Sequence, residues 1–181
     1  MSSPIPEYFA LFGLEPRFAI DTDGLTSAYR EVLSQVHPDR HAGAGASERR
    51  AAMQLASHAN EAYRVLKSDS ARAAYLCRSH GVALEGSNAA VLSSSFLERQ
   101  MRWHETLENA QRAHDATAIA DLSREVVRQH GELIARIVQL MDGEQDYAGA
   151  AEAVRSLLFL EKMQAEIDHA VARREEAAAD K

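Results

Sequence analysis

The tripeptide His37-Pro38-Asp39 is the densest piece of chemistry in this sequence. Pro38 fixes its own φ and biases His37 away from the helical region, so the segment reads as a stiffened loop. A stiffened loop loses little conformational entropy when a partner closes on it. Asp39 offers two carboxylate oxygens suited to an arginine, and His37 offers a polar contact whose strength changes near neutral pH. That is docking chemistry. His41 follows His37 by four residues with Asp39 between them, a spacing that superficially suggests metal ligation. Pro38 breaks the helix that would align the pair, and no third ligand has convincing spacing, so no metal is expected. The remaining histidines (His58, His80, His104, His114, His130, His169) are scattered and read as surface or helix-end residues. There is no glycine-rich phosphate loop, no Ser/His/Asp order and no activated cysteine. The expectation is a protein that is not an enzyme and needs no cofactor.

The elements that must position this loop are helices. Alanine, leucine, glutamate and arginine are plentiful, only 9 glycines and 4 prolines occur, and no alternating β-branched run is present. Ile5 to Leu14 predicts a short first helix with Tyr8, Leu11 and Phe12 on one face, ended by Gly13 and Pro16. Asp21-Thr22-Asp23 offers caps for a second helix whose stripe is Leu25, Tyr29, Leu33 and Val36, and Pro38 stops it. After a loop from His37 to about Ala46, broken by Gly43 and Gly45, Ser47 is the expected cap of a third helix reaching about Lys67. Its expected core face is Met53, Ala56, Ala59, Tyr63 and Leu66. The second and third helices then form an antiparallel pair with His37-Pro38-Asp39 at one tip. A fourth helix, about Ser70–His80, ends at Gly81.

Residues 81–93 lose the periodicity, and three longer patterns follow. Phe96, Met101, Leu107 and Ala110 mark the first, ending near His114. Ile119, Leu122, Val126, Leu133, Ile137 and Leu140 mark the second, softened at Gly131 and ended at Gly143. Ala150, Val154, Leu157, Leu158, Met163 and Ile167 mark the third, which frays into Glu175–Lys181. Short connections favour antiparallel neighbours, hence a three-helix bundle. The fold class is all-α: an N-terminal unit over 1–81, a linker over 82–93 and a bundle over 94–181.

The net charge of −7 lies wholly in the second half: residues 1–80 hold 9 Lys/Arg and 9 Asp/Glu, residues 81–181 hold 11 and 18. An acidic half repels phosphate backbones, so nucleic acid is not an expected partner. No apolar run approaches the roughly 20 residues of a membrane span, and Met1-Ser2-Ser3-Pro4 lacks the features of a signal peptide. One cysteine, Cys77, excludes an intramolecular disulfide and a cysteine-based zinc site, and its neighbours Tyr75 and Leu76 make it a buried apolar residue. A cytoplasmic location fits.

His37-Pro38-Asp39 at the tip of a helical hairpin resembles the signature loop of J-domains. Tyr8-Phe9 and Leu11-Phe12-Gly13-Leu14 upstream are similar to the family's opening. Asn60-Glu61-Ala62-Tyr63-Arg64-Val65-Leu66, then Arg72 and Tyr75, are similar to its third and fourth helices. Arg72-Ala73-Ala74-Tyr75-Leu76 with His80-Gly81, Phe96-Leu97, and Val154 through Lys162 narrow the resemblance to HscB, the J-type co-chaperone family of iron–sulfur cluster assembly. The resemblance implies that His37, Pro38 and Asp39 engage an Hsp70-type chaperone and stimulate its ATPase. It makes Arg30 and Arg40 the expected accompanying basic contacts. The family usually shows a more basic second helix; here only Arg30 lies on it, so electrostatic steering is expected to be modest.

The same resemblance makes the bundle a client-binding domain. It implies a specialised Hsp70 (HscA) on one side and the cluster scaffold protein IscU on the other, with the cluster on the scaffold. The client surface maps to Leu97, Met101, Glu105 and Phe159. The first three are spaced i, i+4, i+8 along one helical stripe, and Phe96, Trp103 and Leu107 remain to fill the core. Glu98 and Arg102 depart from the family's more apolar and more acidic residues there. A monomer is expected. The alternative is a J-domain protein with another client, whose bundle is a dimerisation module.

Overall fold

The computed structural model describes residues 7–36, 45–84 and 93–179, with side chains to residue 176. The described residues are helical, without a strand, and the chain divides into two compact units, Met1–Val82 and Ala83–Lys181.

The first unit holds α1 (Glu7–Leu11), α2 (Thr22–Gln35), α3 (Ala46–Lys67) and α4 (Asp69–Ser79). Asp21 caps α2 through its side chain, accepting from the Asp23 N–H at 3.0 Å. Gly13 ends the first turn with φ +63, and Gly81 follows α4 with φ +75, left-handed conformations that favour glycine. The α1 face differs from the one expected. Phe9 is its fully buried residue, Phe12 is buried just beyond it, and Tyr8 and Leu11 are only half-buried.

Two expectations for α3 are corrected. Gly45, not Ser47, occupies the cap position, and Ser47 lies inside the first turn. Met53 is 73% exposed and belongs to no core. The buried stripe is Ala52, Ala59, Ala62, Val65 and Leu66; one residue of slip turns a side chain by about 100°, enough to carry Met53 out of it. Between Ala46 and Leu55, Ala52 alone is buried, so the half of α3 nearer the 37–44 loop is thinly packed.

The second unit holds α5 (Ser94–Ala113), α6 (Ala116–Val138), a π-helical turn (Gln139–Gly143) and α7 (Tyr147–Ala179). α5 and α6 are joined by a tight corner: His114 is left-handed (φ 53), and Asp115 Oδ1 accepts from the Thr117 and Ala118 N–H groups. Trp103 and Leu107 of α5, Leu122 and Val126 of α6, and Met163 and Ile167 of α7 build the common core. The expected softening at Gly131 is absent, since α6 runs through it unbroken and the irregularity falls instead in the π-turn. A mid-helix glycine costs about 1 kcal/mol, which the buried stripe of α6 outweighs. Leu158, expected inside α7, is 42% exposed; Val154, Leu157 and Leu160 take the buried positions. Cys77 is buried as expected.

Candidate docking surfaces

The hairpin that carries the 37–44 loop is held by tyrosines. Tyr29 of α2 stacks on Tyr63 of α3, centroids 4.1 Å apart and 12° from parallel. The Tyr29 hydroxyl donates to Asn60 Oδ1 at 2.8 Å, and Thr26 and Tyr63 share a hydroxyl contact at 3.2 Å. Bonding to Thr26 and then Lys67 lowers the Tyr63 phenol from its ordinary value. Because Thr26 and Tyr29 meet Tyr63 and Asn60, α2 and α3 run antiparallel, so the end of α2 and the start of α3 lie on the same side of the hairpin. His37, Pro38, Asp39 and Arg40 lie outside the described residues. Arg30 is on the exposed side of α2, open to a partner.

A second device closes the other end of this unit. Arg72 is only 4% exposed. Its Nε–H donates to the Phe18 carbonyl (2.7 Å), Nη1 to the Leu66 carbonyl (2.6 Å) and Nη2 to Asp69. One guanidinium thus joins the α1–α2 connection, the end of α3 and the start of α4. Tyr8 stacks on Tyr75 at 4.5 Å, and the Tyr8 N–H donates to its hydroxyl. In the sequence Arg72 was visible only as part of a motif; its anchoring role was signalled, at most, by Asp69 three residues earlier.

In the second unit, α5 presents Leu97 (45% exposed), Met101 (65%) and Glu105 along one stripe, while Trp103, Leu107 and Ala110 turn inward. Glu98 and Arg102, 4.0 Å apart, flank that stripe. Phe159 differs from Leu97 and Met101: it is half-buried and packed against the bundle core. Phe96 and His104 meet its ring edge-on, each at 5.7 Å, and Trp103 stacks with it at 6.3 Å and 8°. The result is an exposed aliphatic stripe beside an aromatic cluster, a surface suited to binding another protein. Among the described residues no group of three or more His, Cys, Asp or Glu is placed to hold a metal, and no helix is long and apolar enough to cross a membrane.

Two family models match the chain. The DnaJ domain matches residues 7–75. The HSCB C-terminal oligomerisation domain matches residues 92–168. The co-chaperone protein HscB homolog of Bordetella avium is 45% identical over 161 residues, covering 89% of this chain and 95% of that protein. The chain belongs to the HscB family of J-domain co-chaperones. Another HscB homolog, from Cupriavidus taiwanensis, is 42% identical over 94% of this chain and 96% of its own. Among solved structures, chaperone HscB from Vibrio cholerae superposes with a TM-score of 0.81 at 28% identity, covering 92% of this chain and 98% of that one. Human co-chaperone HscB shares the fold, with a TM-score of 0.82 at 22% identity over 93% and 84% of the two chains. As an HscB-family J-domain protein, this chain is a co-chaperone for an Hsp70-class chaperone, in the setting of iron–sulfur cluster assembly.

Proposed function

We propose that this chain is a non-enzymatic two-handed adaptor. Its J-domain loop, His37-Pro38-Asp39 with Arg30 and Arg40, docks on a specialised Hsp70 of the HscA type and stimulates ATP hydrolysis there. The bundle holds the iron–sulfur scaffold protein, IscU, through Leu97, Met101, Glu105 and Phe159. Joining both partners through one chain raises the local concentration of client at the chaperone. It acts as a monomer in the cytoplasm, and the cluster is carried by the scaffold as cargo.

The observation that supports the client half is the outward stripe of Leu97 and Met101. α5 fills the core with Trp103, Leu107 and Ala110 and still leaves these two large apolar side chains in water. Steady-state ATPase of the cognate Hsp70, with the scaffold protein added or omitted, tests both halves. The expected result is synergistic stimulation that Asp39→Asn abolishes with helicity intact. Stimulation indifferent to the scaffold would leave the J-domain action and remove this client.

The description of the matched C-terminal family model as an oligomerisation domain supports a second reading, in which the bundle pairs with another copy. Sedimentation velocity separates the two. A concentration-dependent dimer lost on Leu97→Asp would favour the second reading, and a monomer at all concentrations would favour the adaptor.

A further inference from the structure

Phe159 stands at the end of a series of contacts that crosses all three helices of the bundle. Its ring stacks, offset, on the Trp103 indole. The Arg99 guanidinium lies 6.0 Å from the centre of that indole and donates to Gln129 Oε1 on α6. His104, whose ring edge meets Phe159, is tied back to α7 through Glu166, Nδ1 to Oε2 at 3.5 Å. Rings at α5 positions 96, 103 and 104 therefore limit how the Phe159 ring can turn. A contact ring already held in its bound orientation loses less entropy on association than a free one. Trp103 itself is 7% exposed, too deep to meet a partner broadly.

We propose that Trp103 is a positioning residue of the client face: it presents Phe159 to the scaffold protein in a fixed orientation, and Arg99, anchored on Gln129, steadies the indole. This rests on the adaptor reading above. A tryptophan that merely filled the core would matter to stability and not specifically to what Phe159 does. The expected signature is coupling between positions 103 and 159 in scaffold binding.

The test is a double-mutant cycle on the full-length chain, read as scaffold affinity by calorimetry. Trp103→Leu is expected to weaken binding about tenfold, and Trp103→Phe, which keeps a stacking ring, less than about twofold. In a Phe159→Ala background, Trp103→Leu is expected to add less than about twofold. Scaffold-independent ATPase stimulation is expected to stay unchanged throughout. Because the chain has one tryptophan, 5-fluorotryptophan labelling gives a single ¹⁹F resonance. It is expected to move on scaffold addition, and to stay still in Phe159→Ala. If Trp103→Leu unfolds the bundle, Arg99→Ala replaces it, with about threefold weakening expected to vanish in the Phe159→Ala background. Additive effects at 103 and 159, or unchanged affinity in Trp103→Leu while Leu97→Ala loses binding, would overturn the positioning role. Unchanged affinity in both Leu97→Ala and Phe159→Ala would instead overturn the adaptor reading.

Discussion

Arg72 binds Phe18 twice: its Nε–H donates to the Phe18 carbonyl at 2.7 Å, and its guanidinium carbon stands 4.9 Å from the centre of the same residue's ring. The backbone contact ties the α1–α2 connection to the first turn of α4, and the ring contact covers the charge. With Leu66 and Asp69 also accepting, the buried cation has acceptors in three directions.

Removing it should therefore loosen the J-domain unit as a whole. Arg72→Ala leaves the Phe18 and Leu66 carbonyls without this donor and is expected to cost about 3 kcal/mol in urea unfolding followed at α-helical wavelengths. Arg72→Lys should recover little, because one ammonium cannot reproduce the planar fork. Full stability in Arg72→Lys would show that charge alone, without the fork, holds the unit.

Leu97 and Phe159, assigned to the same client surface, should part company on stability. Leu97→Ala removes an exposed side chain and is expected to change unfolding free energy by less than about 0.5 kcal/mol. Phe159→Ala empties a half-buried site among three rings and is expected to cost about 2 kcal/mol. Both should weaken scaffold binding. Chemical denaturation beside the binding assay gives both readings, and a neutral Phe159→Ala would mean that the ring cluster contributes nothing to the bundle.

Gly131 lies in an unbroken, exposed stretch of α6 with open space where a Cβ would stand. Gly131→Ala should therefore stabilise the bundle by about 0.5–1 kcal/mol, by restricting the unfolded chain and favouring helix. A lowered melting temperature in calorimetry would show that α6 needs a bend there.

Burial pushes the Cys77 thiol from its ordinary 9.0 up to about 11. The fold favours the protonated form, so this contribution to stability is complete below about pH 9 and is lost as pH rises toward 11. At pH 8 a disulfide reagent should find no reactive thiol in the native protein and one after denaturation. Rapid native labelling would contradict the burial.

The parts of the fold that were legible in the sequence were those with a local physical signal. Asp21 before α2 and Gly81 after α4 act within a turn of where they stand, and both do what their chemistry suggests. Met53, Leu158 and Phe9 were misjudged because an apolar residue next to a helical stripe resembles one within it, and only the neighbouring helix decides between them. The unbroken passage through Gly131 likewise depends on burial summed along α6. Of the proposed client surface, the outward set of Leu97 and Met101 was readable because Trp103 and Leu107 were available to fill the core side of α5. The half-burial of Phe159 was not, since its cover comes from α5, more than fifty residues away in sequence. Arg72 escaped as an anchor for the same reason: its acceptors at Phe18 and Leu66 are backbone carbonyls, which carry no sequence signature.

The tyrosine pairing of the α2–α3 hairpin and the thin packing of α3 near Ala46 lie at opposite ends of one lever. Amide protection should therefore climb along α3, lowest over Ala46–Leu55 and highest over Ala59–Leu66, where Ala59, Ala62, Val65 and Leu66 are buried. Tightening by a bound chaperone would then be confined to the outer turns, while the inner turns are already packed. The hairpin is graded in packing, so adaptation in its outer turns need not propagate into the body of the domain.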